Sequence, residues 1–175
     1  MAQSMDNVTG RYIRQRSTPP AASSAVGLAG VFETLVDQHR QMGEELRLIS
    51  GMEASAERQR RWLELRQKLL SHDRAETLEV YAALDGIDAA RLMLQQHRLQ
   101  VGELETAIRE LDATDPNSER WDSQSRDLLA LFVDHAQDEE TSFFPRAQQI
   151  LGAKTTRDLR ERYLTMQREV SHSVG

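Results

Sequence analysis

The stretch HAQDEETSFFP, residues 135–145, sets His135 four residues ahead of Glu139, in a run that also carries Phe132, Val133, Phe143 and Phe144. Residues four apart share one face of a helix, so an imidazole and a carboxylate meet among aromatic side chains and not in water. The phrase has an echo. HDRAETLEVY, residues 72–81, sets His72 ahead of Glu76, and both copies read His, Glu at plus four, aromatic at plus nine. Two more histidines, His39 and His97, stand alone on apolar faces, each about one turn from a methionine, Met42 and Met93. The order along the chain is therefore His, His-x-x-x-Glu, His, His-x-x-x-Glu. His-x-x-x-Glu by itself carries little weight, because in a Glu-rich chain a given His has about a one-in-ten chance of a Glu at plus four.

The weight comes from the elements that must position these groups. Leu28, Phe32, Leu35, His39, Met42, Leu46 and Ile49 recur at steps of three and four, which predicts a first helix ending near Ser50-Gly51. A second helix is expected from about Ser55 to Leu84, with Trp62, Leu65, Leu69, His72, Glu76 and Val80 inward and a turn at Asp85-Gly86. A third, ending near Leu111, turns Ala90, Met93, His97, Val101, Leu104 and Ile108 inward. DATDPNS then breaks the pattern, and Asp115 as N-cap with Pro116 as first helical residue would open the fourth helix. That helix carries Leu128, Phe132, His135, Glu139, Phe143 and Ala147, with Pro145 expected to kink or end it. A short fifth helix, about Thr156 to Val170, shows Leu159, Tyr163, Met166 and Val170 on one side and could cap the bundle or join two copies.

The expectation is an all-α protein: an up-down-up-down antiparallel four-helix bundle with a short C-terminal fifth helix and a flexible N-terminal segment. The corresponding division is 1–26 for the aperiodic lead-in, 27–152 for the bundle and 153–175 for the last helix and tail. In such a bundle, depth is set by distance from a shared turn. His72 and Glu76 straddle a point about 11 residues before Asp85-Gly86, and His97 lies about 11 after it. His39 is about 11 residues into the first helix, and Glu139 about 12 from the end of the fourth. At about 1.5 Å per residue, the six side chains fall in one layer some 16–18 Å from one end. His172 fits no such layer.

A lone buried histidine usually serves structure. Six convergent polar groups need more, since two carboxylates among Leu and Phe cost several kcal/mol each without a cation. Four imidazoles and two carboxylates exceed what two ion pairs need, whereas metal coordination uses them all. The count suits two ions, each with two nitrogens and shared carboxylate oxygens and with positions left open. That donor set favours non-haem iron, with manganese second, and not a closed structural zinc site. Ferritin-like di-iron bundles use Glu-x-x-His; here His leads and the spacing is four.

Composition narrows the alternatives. Cysteine is absent, which excludes disulfides, thiolate metal sites and thiol catalysis. The net charge of −6 speaks against nucleic acid. No apolar run approaches a membrane span, and no signal-like core follows Arg11, Arg14 and Arg16, from which a cytoplasmic location is expected. Other polar or soft groups near the layer are Glu79, Tyr81, Met42 and Met93, read as outer-layer or pocket residues. Glu140 is expected to rotate off the core face, and ERQRR, residues 57–61, to be a solvated helix start.

In its His, His-x-x-x-Glu, His, His-x-x-x-Glu order, carried by His39, His72, Glu76, His97, His135 and Glu139, the chain resembles the hemerythrin-like family of the HHE cation-binding type. Tyr81 and Phe144-Pro145 stand where that family often has an aromatic followed by proline, and the resemblance covers about residues 28–151. It implies a di-iron centre, oxo- or hydroxo-bridged, that binds or senses O2, NO or peroxide. It also leaves open an enzyme turning over hydrogen peroxide or nitric oxide, or an iron-homeostasis or interaction module stapled by metal, with a homodimer possible. The oxygen carriers of the family have His-x-x-x-His in the fourth helix, where this chain has Glu139. Its cluster-repair members often carry a cysteine near the N-terminus, and this chain has none.

Overall fold

The computed structural model describes residues 27–173; the expected flexible segment 1–26 lies outside the described residues. Among these, every regular element is helical and no helix is long and apolar enough to cross a membrane. Helix α1 is Val31–Ser50. Helix α2, Ala56–Glu76, continues through a π turn at Thr77–Tyr81 and Ala82–Leu84 as one rod. Helix α3 is Arg91–Asp112, entered through a short 3-10 turn. Helix α4, Glu119–Asp138, passes through a second π turn at Glu139–Phe143 into the helix Phe144–Ser171. That last helix breaks at Gly152 (φ 78°, ψ 161°), so 144–151 ends the fourth rod and 153–171 forms a separate helix, α5.

Neighbouring rods run antiparallel. His39 meets His72 while Glu45 meets Arg61; Trp62 meets Asp112 while Asp85 meets Arg98. The four rods thus form the expected bundle. Helix α5 lies along the α1–α2 side, parallel to α1 and antiparallel to α2: Arg160 bonds Thr34 and Tyr163 bonds Gln38, while Arg162 pairs with Glu79 and Ser171 accepts from Gln67. Its buried face, Leu159, Tyr163 and Val170, is used on this chain's own bundle.

The helix starts follow from side-chain caps. Ser55 accepts from the Arg58 N–H and opens α2. Helix α4 starts later than Asp115-Pro116 predicts. Asp115 instead accepts from the Asn117 N–H in a local turn, the Pro116 carbonyl is taken by Arg58, and Ser118 caps the helix by accepting from Trp121. Arg58 itself corrects the reading of residues 57–61 as solvated. Its side chain is buried, bonds the Met52 carbonyl at 2.9 Å and Asp122 at 2.7 Å, and lies over the Trp121 ring at 4.2 Å.

The apolar core is in two parts. One gathers Phe32, Leu35, Val80, Tyr81, Leu84, Leu94, Phe143, Phe144, Leu159 and Tyr163; the other gathers Met42, Leu46, Ile49, Trp62, Leu65, Leu69, Leu104, Ile108, Trp121, Leu128 and Phe132. Buried polar side chains lie where the two parts meet, with His39 between Leu35 and Met42 on α1 and His135 and Glu139 between Phe132 and Phe143 on the fourth rod.

Two glycines test the packing. Gly30, at φ 66°, abuts α5 so closely that a Cβ would stand 2.4 Å from the Thr156 carbonyl oxygen. Gly102 lies within α3, and a Cβ there meets nothing within 4 Å. Gly30→Ala is expected to lower the unfolding free energy by about 2–4 kcal/mol through backbone strain and overpacking. Gly102→Ala is expected to raise it by about 0.5–1 kcal/mol through helix propensity. Urea denaturation followed by circular dichroism checks both signs.

Candidate metal centre

All six residues singled out by spacing are buried, with exposures of 0–3 %, and lie at the boundary between the two core parts. The imidazoles form a row. Successive ring centroids are 4.9 Å apart from His72 to His39, 6.3 Å from His39 to His135 and 6.4 Å from His135 to His97. Glu139 lies between the two halves of this row. Its Oε2 is 3.3 Å from His39 Nε2 and 3.4 Å from His135 Nε2, and its Oε1 is 3.9 Å from His97 Nδ1. Glu76 Oε2 is 3.8 Å from His72 Nε2. One donor atom each from His97, His135 and Glu139 falls within 4.8 Å of the others, a spacing that could hold a cation.

Aromatic rings close the space around these groups. Phe144 stacks on His39 at 5.7 Å, Phe132 meets His39 edge-on at 6.0 Å, and Phe143 lies 4.2 Å from His97. Both His-x-x-x-Glu segments run into a π turn, and the extra residue changes which side chains face inward. Glu79, Val80 and Tyr81 are buried in succession, as are Phe143 and Phe144, an arc too wide for one face of a regular α-helix. At the second turn Pro145 offers no N–H to the carbonyl four residues back and crowds it. The fourth rod neither ends nor loses its inward face there, and the π turn passes straight into the helix that holds the proline.

That turn overturns the expectation that Glu140 faces solvent. Its Oε1 is 3.1 Å from His39 Nδ1. Tyr81 donates its hydroxyl to Glu139 Oε1 at 3.2 Å, so it does more than pack. Glu79, read as a pocket residue, pairs with Arg162 at 2.6 Å and ties α5 to α2. Met42 sits in the second core part and lines a cleft with Gln38, Leu65 and Ser71. Met93 is half-buried against the first core part. A separate cleft, lined by Gln100, Glu103, Asp134 and Asp138, reaches His135 from the surface.

Spacing did not point to three groups that touch the layer. Glu140 is one; Gln38 and Tyr163 are the others. His72 Nδ1 lies 2.9 Å from Gln38 Oε1 and 3.0 Å from the Tyr163 hydroxyl. Gln38 immediately precedes His39, and Tyr163 was legible only as an apolar-face residue.

The protein's own charges are arranged unevenly. Burial alone would lower His39, but contact with Glu139 and Glu140 outweighs it and raises the group to about 9. Burial alone would raise Glu139, but the imidazoles of His135 and His39 beside it outweigh burial and hold it at about 2. His39 and Glu139 are therefore an ion pair in the metal-free protein. Burial, then the charges of Glu139 and Asp73, pushes Glu76 well above the carboxylate range. Burial and the His39 charge push His72 well below the usual imidazole range, so it is neutral. His72 Nε2 lies 3.1 Å from His39 Nε2, and a doubly protonated His39 makes His72 Nε2 the acceptor and leaves its proton on Nδ1.

The family model of the hemerythrin HHE cation binding domain matches residues 30–147. The chain belongs to this family. Neither a curated protein nor a solved structure matches it. The family is one of cation-binding bundles, the buried His/Glu cluster lies within the matched residues, and the match ends before α5 begins.

The two carboxylates should respond differently to neutralisation. With chelator present, Glu139→Gln breaks the buried pair with His39 and is expected to cost about 1–3 kcal/mol of stability. Glu76→Gln, at a carboxyl with no hydrogen-bond partner on either oxygen, is expected to change stability by less than about 1 kcal/mol. Thermal denaturation of both variants in chelator checks the order, and a larger loss for Glu76→Gln would contradict the charge assignment.

Proposed function

We propose that the bundle holds a pair of iron ions on His39, His72, Glu76, His97, His135 and Glu139, and that it binds or senses O2, NO or peroxide there. The observation that carries this reading is a set of buried polar atoms with no hydrogen-bond partner: Glu76 Oε1 and Oε2, His97 Nδ1 and both ring nitrogens of His135. Buried polar atoms are nearly always satisfied, and leaving several orphaned in one layer is costly unless a cation takes them. The donors fit iron: imidazole nitrogen and carboxylate oxygen, with no thiolate in the chain. Their extended row, with Glu139 between its halves and Glu76 beside His72, suits two ions better than one. Manganese would be the next choice by the same donor chemistry.

Iron bound there would supply open coordination positions and reversible redox chemistry for a small ligand. The chain's own residues do the rest. Tyr81 fixes Glu139 by bonding Oε1 and leaves Oε2 facing His39 and His135. Phe132, Phe143 and Phe144 pack against the imidazoles, keep bulk water away and favour a small, weakly polar ligand. Glu140 accepts from His39 Nδ1 and orients its other nitrogen toward the layer.

Metal analysis by mass spectrometry on freshly purified protein, together with an optical spectrum, tests the reading. The expected result is about two iron ions per chain, with an absorption band that shifts on adding azide, peroxide or nitric oxide. His72→Ala is expected to lose most of the metal, and metal content unchanged in that variant would remove His72 from the ligand set. Steady-state turnover of peroxide or nitric oxide would make the protein an enzyme instead of a binder or sensor.

A further inference from the structure

Helix α5 lies beyond the family match, yet it reaches the centre. Tyr163 is fully buried, and its ring stands edge-on to His72 with centroids 6.2 Å apart. Its hydroxyl donates to Gln38 Oε1 at 2.6 Å and lies 3.0 Å from His72 Nδ1. Gln38 Oε1 is also 2.9 Å from His72 Nδ1. One turn further along α5, Gln167 pairs with Gln38 amide to amide: Gln167 Nε2 donates to Gln38 Oε1 at 3.0 Å, and Gln38 Nε2 donates to Gln167 Oε1 at 2.9 Å.

We propose that Gln38, Tyr163 and Gln167 are positioning residues, through which α5 holds His72 in its Nδ1–H tautomer with the Nε2 lone pair turned to the metal layer. The inference rests on the metal reading above for its purpose, and on the hydrogen-bond network for its geometry. An imidazole whose Nδ1 faces a carbonyl oxygen must carry its proton there, because two acceptors at 2.9 Å repel. The amide pair with Gln167 holds the Gln38 side chain in place beside His72, and the Tyr163 hydroxyl, which donates to Gln38 Oε1, favours the carbonyl end there. On the far side of the ring, Nε2 looks toward His39 Nε2 at 3.1 Å and Glu76 Oε2 at 3.8 Å. A metal-binding histidine depends on the partner of its other nitrogen for tautomer and ring orientation. For His72 that partner is α1 clamped by α5. The helix outside the matched domain is thus part of the centre and not only a cover on the bundle.

Two readouts on the full chain test this, one of them independent of metal. In chelator, and in a His39→Leu background so that no proton donor faces Nε2, nitrogen-15 NMR of the His72 side chain is expected to show an Nδ1–H tautomer. Gln38→Leu should shift that signal toward a mixture, and Gln38→Glu, which restores an acceptor, should recover it. Tyr163→Phe, which keeps the ring and removes only the hydroxyl, should broaden or shift it while helix content is retained. In cobalt(II) titrations, affinity is expected to fall about tenfold for Tyr163→Phe and up to about a hundredfold for Gln38→Leu, with partial recovery in Gln38→Glu. A His72 signal unchanged in Gln38→Leu would overturn the proposal, whatever the metal content. A wild-type chain that takes up no cobalt while the His72 signal still responds would sink the metal reading and leave the tautomer control standing.

Discussion

A helical bundle with a continuous apolar seam needs nothing at its centre. This one interrupts its seam with four imidazoles and two carboxylates, all buried, and the rest of the structure depends on how that layer is kept from costing the fold its stability. Carboxylates in a low-dielectric interior must be neutralised by a proton, an ion pair or a metal. In the metal-free chain two of these are in use. Glu76 is protonated by its surroundings, and Glu139 is paired with His39. Neither solution satisfies every donor, since Glu76, His97 and His135 still carry atoms with no partner. The layer is therefore tolerated without a cation, and in the proposed reading a cation would complete it.

The metal-free pairing also shows what a cation would replace. His39 holds its protons against Glu139 and Glu140, and Glu76 keeps a proton of its own. Ligands must be deprotonated to bind, so loading exchanges these protons for metal charge at the same place. Glu139 need not move far for this: it already contacts both halves of the imidazole row. The fold stores the donors close to where they would be used, with a proton as placeholder.

Much of this was legible in the sequence. The steps of three and four placed His39, His72, His97 and His135 inward, and equal distances from the turns placed them at one depth, because rise per residue is constant along straight helices. What was not legible depended on departures from the α-helical period. Glu140 was assigned to solvent because a regular helix would put it there; the π turn that begins at Glu139 brings it to His39. Pro145 was readable as a disturbance, but the turn itself was not, since the same turn forms at Thr77–Tyr81 with no proline beside it. Arg58 looked like one more charge in a solvated run, and only tertiary packing shows it between two loops and the Trp121 ring. Gln38 carried no spacing signal, and Tyr163 only that of an apolar face. Their role arises from the break at Gly152, which turns α5 back along the α1–α2 side, and a break of that kind does not reveal its direction in sequence.

A one-layer site needs its helices held at a common depth as well as turned to a common face, since a slip of one turn would move a ligand by about 5 Å. The far end of the bundle supplies one stop. Arg58 ties the α1–α2 loop to the start of α4 through the Met52 carbonyl and Asp122, and Asp112 at the end of α3 accepts from Trp62 and pairs with Arg66 on α2. The near end supplies another. Gly30 at the head of α1 fits against Thr156 with no room for a side chain, and Gln148 bonds the backbone of Gly27 and Ala29. With both ends fixed, the middle of each helix has little freedom to slide. The remaining freedom is rotation of single rings, and for His72 the Gln38–Tyr163 network removes it.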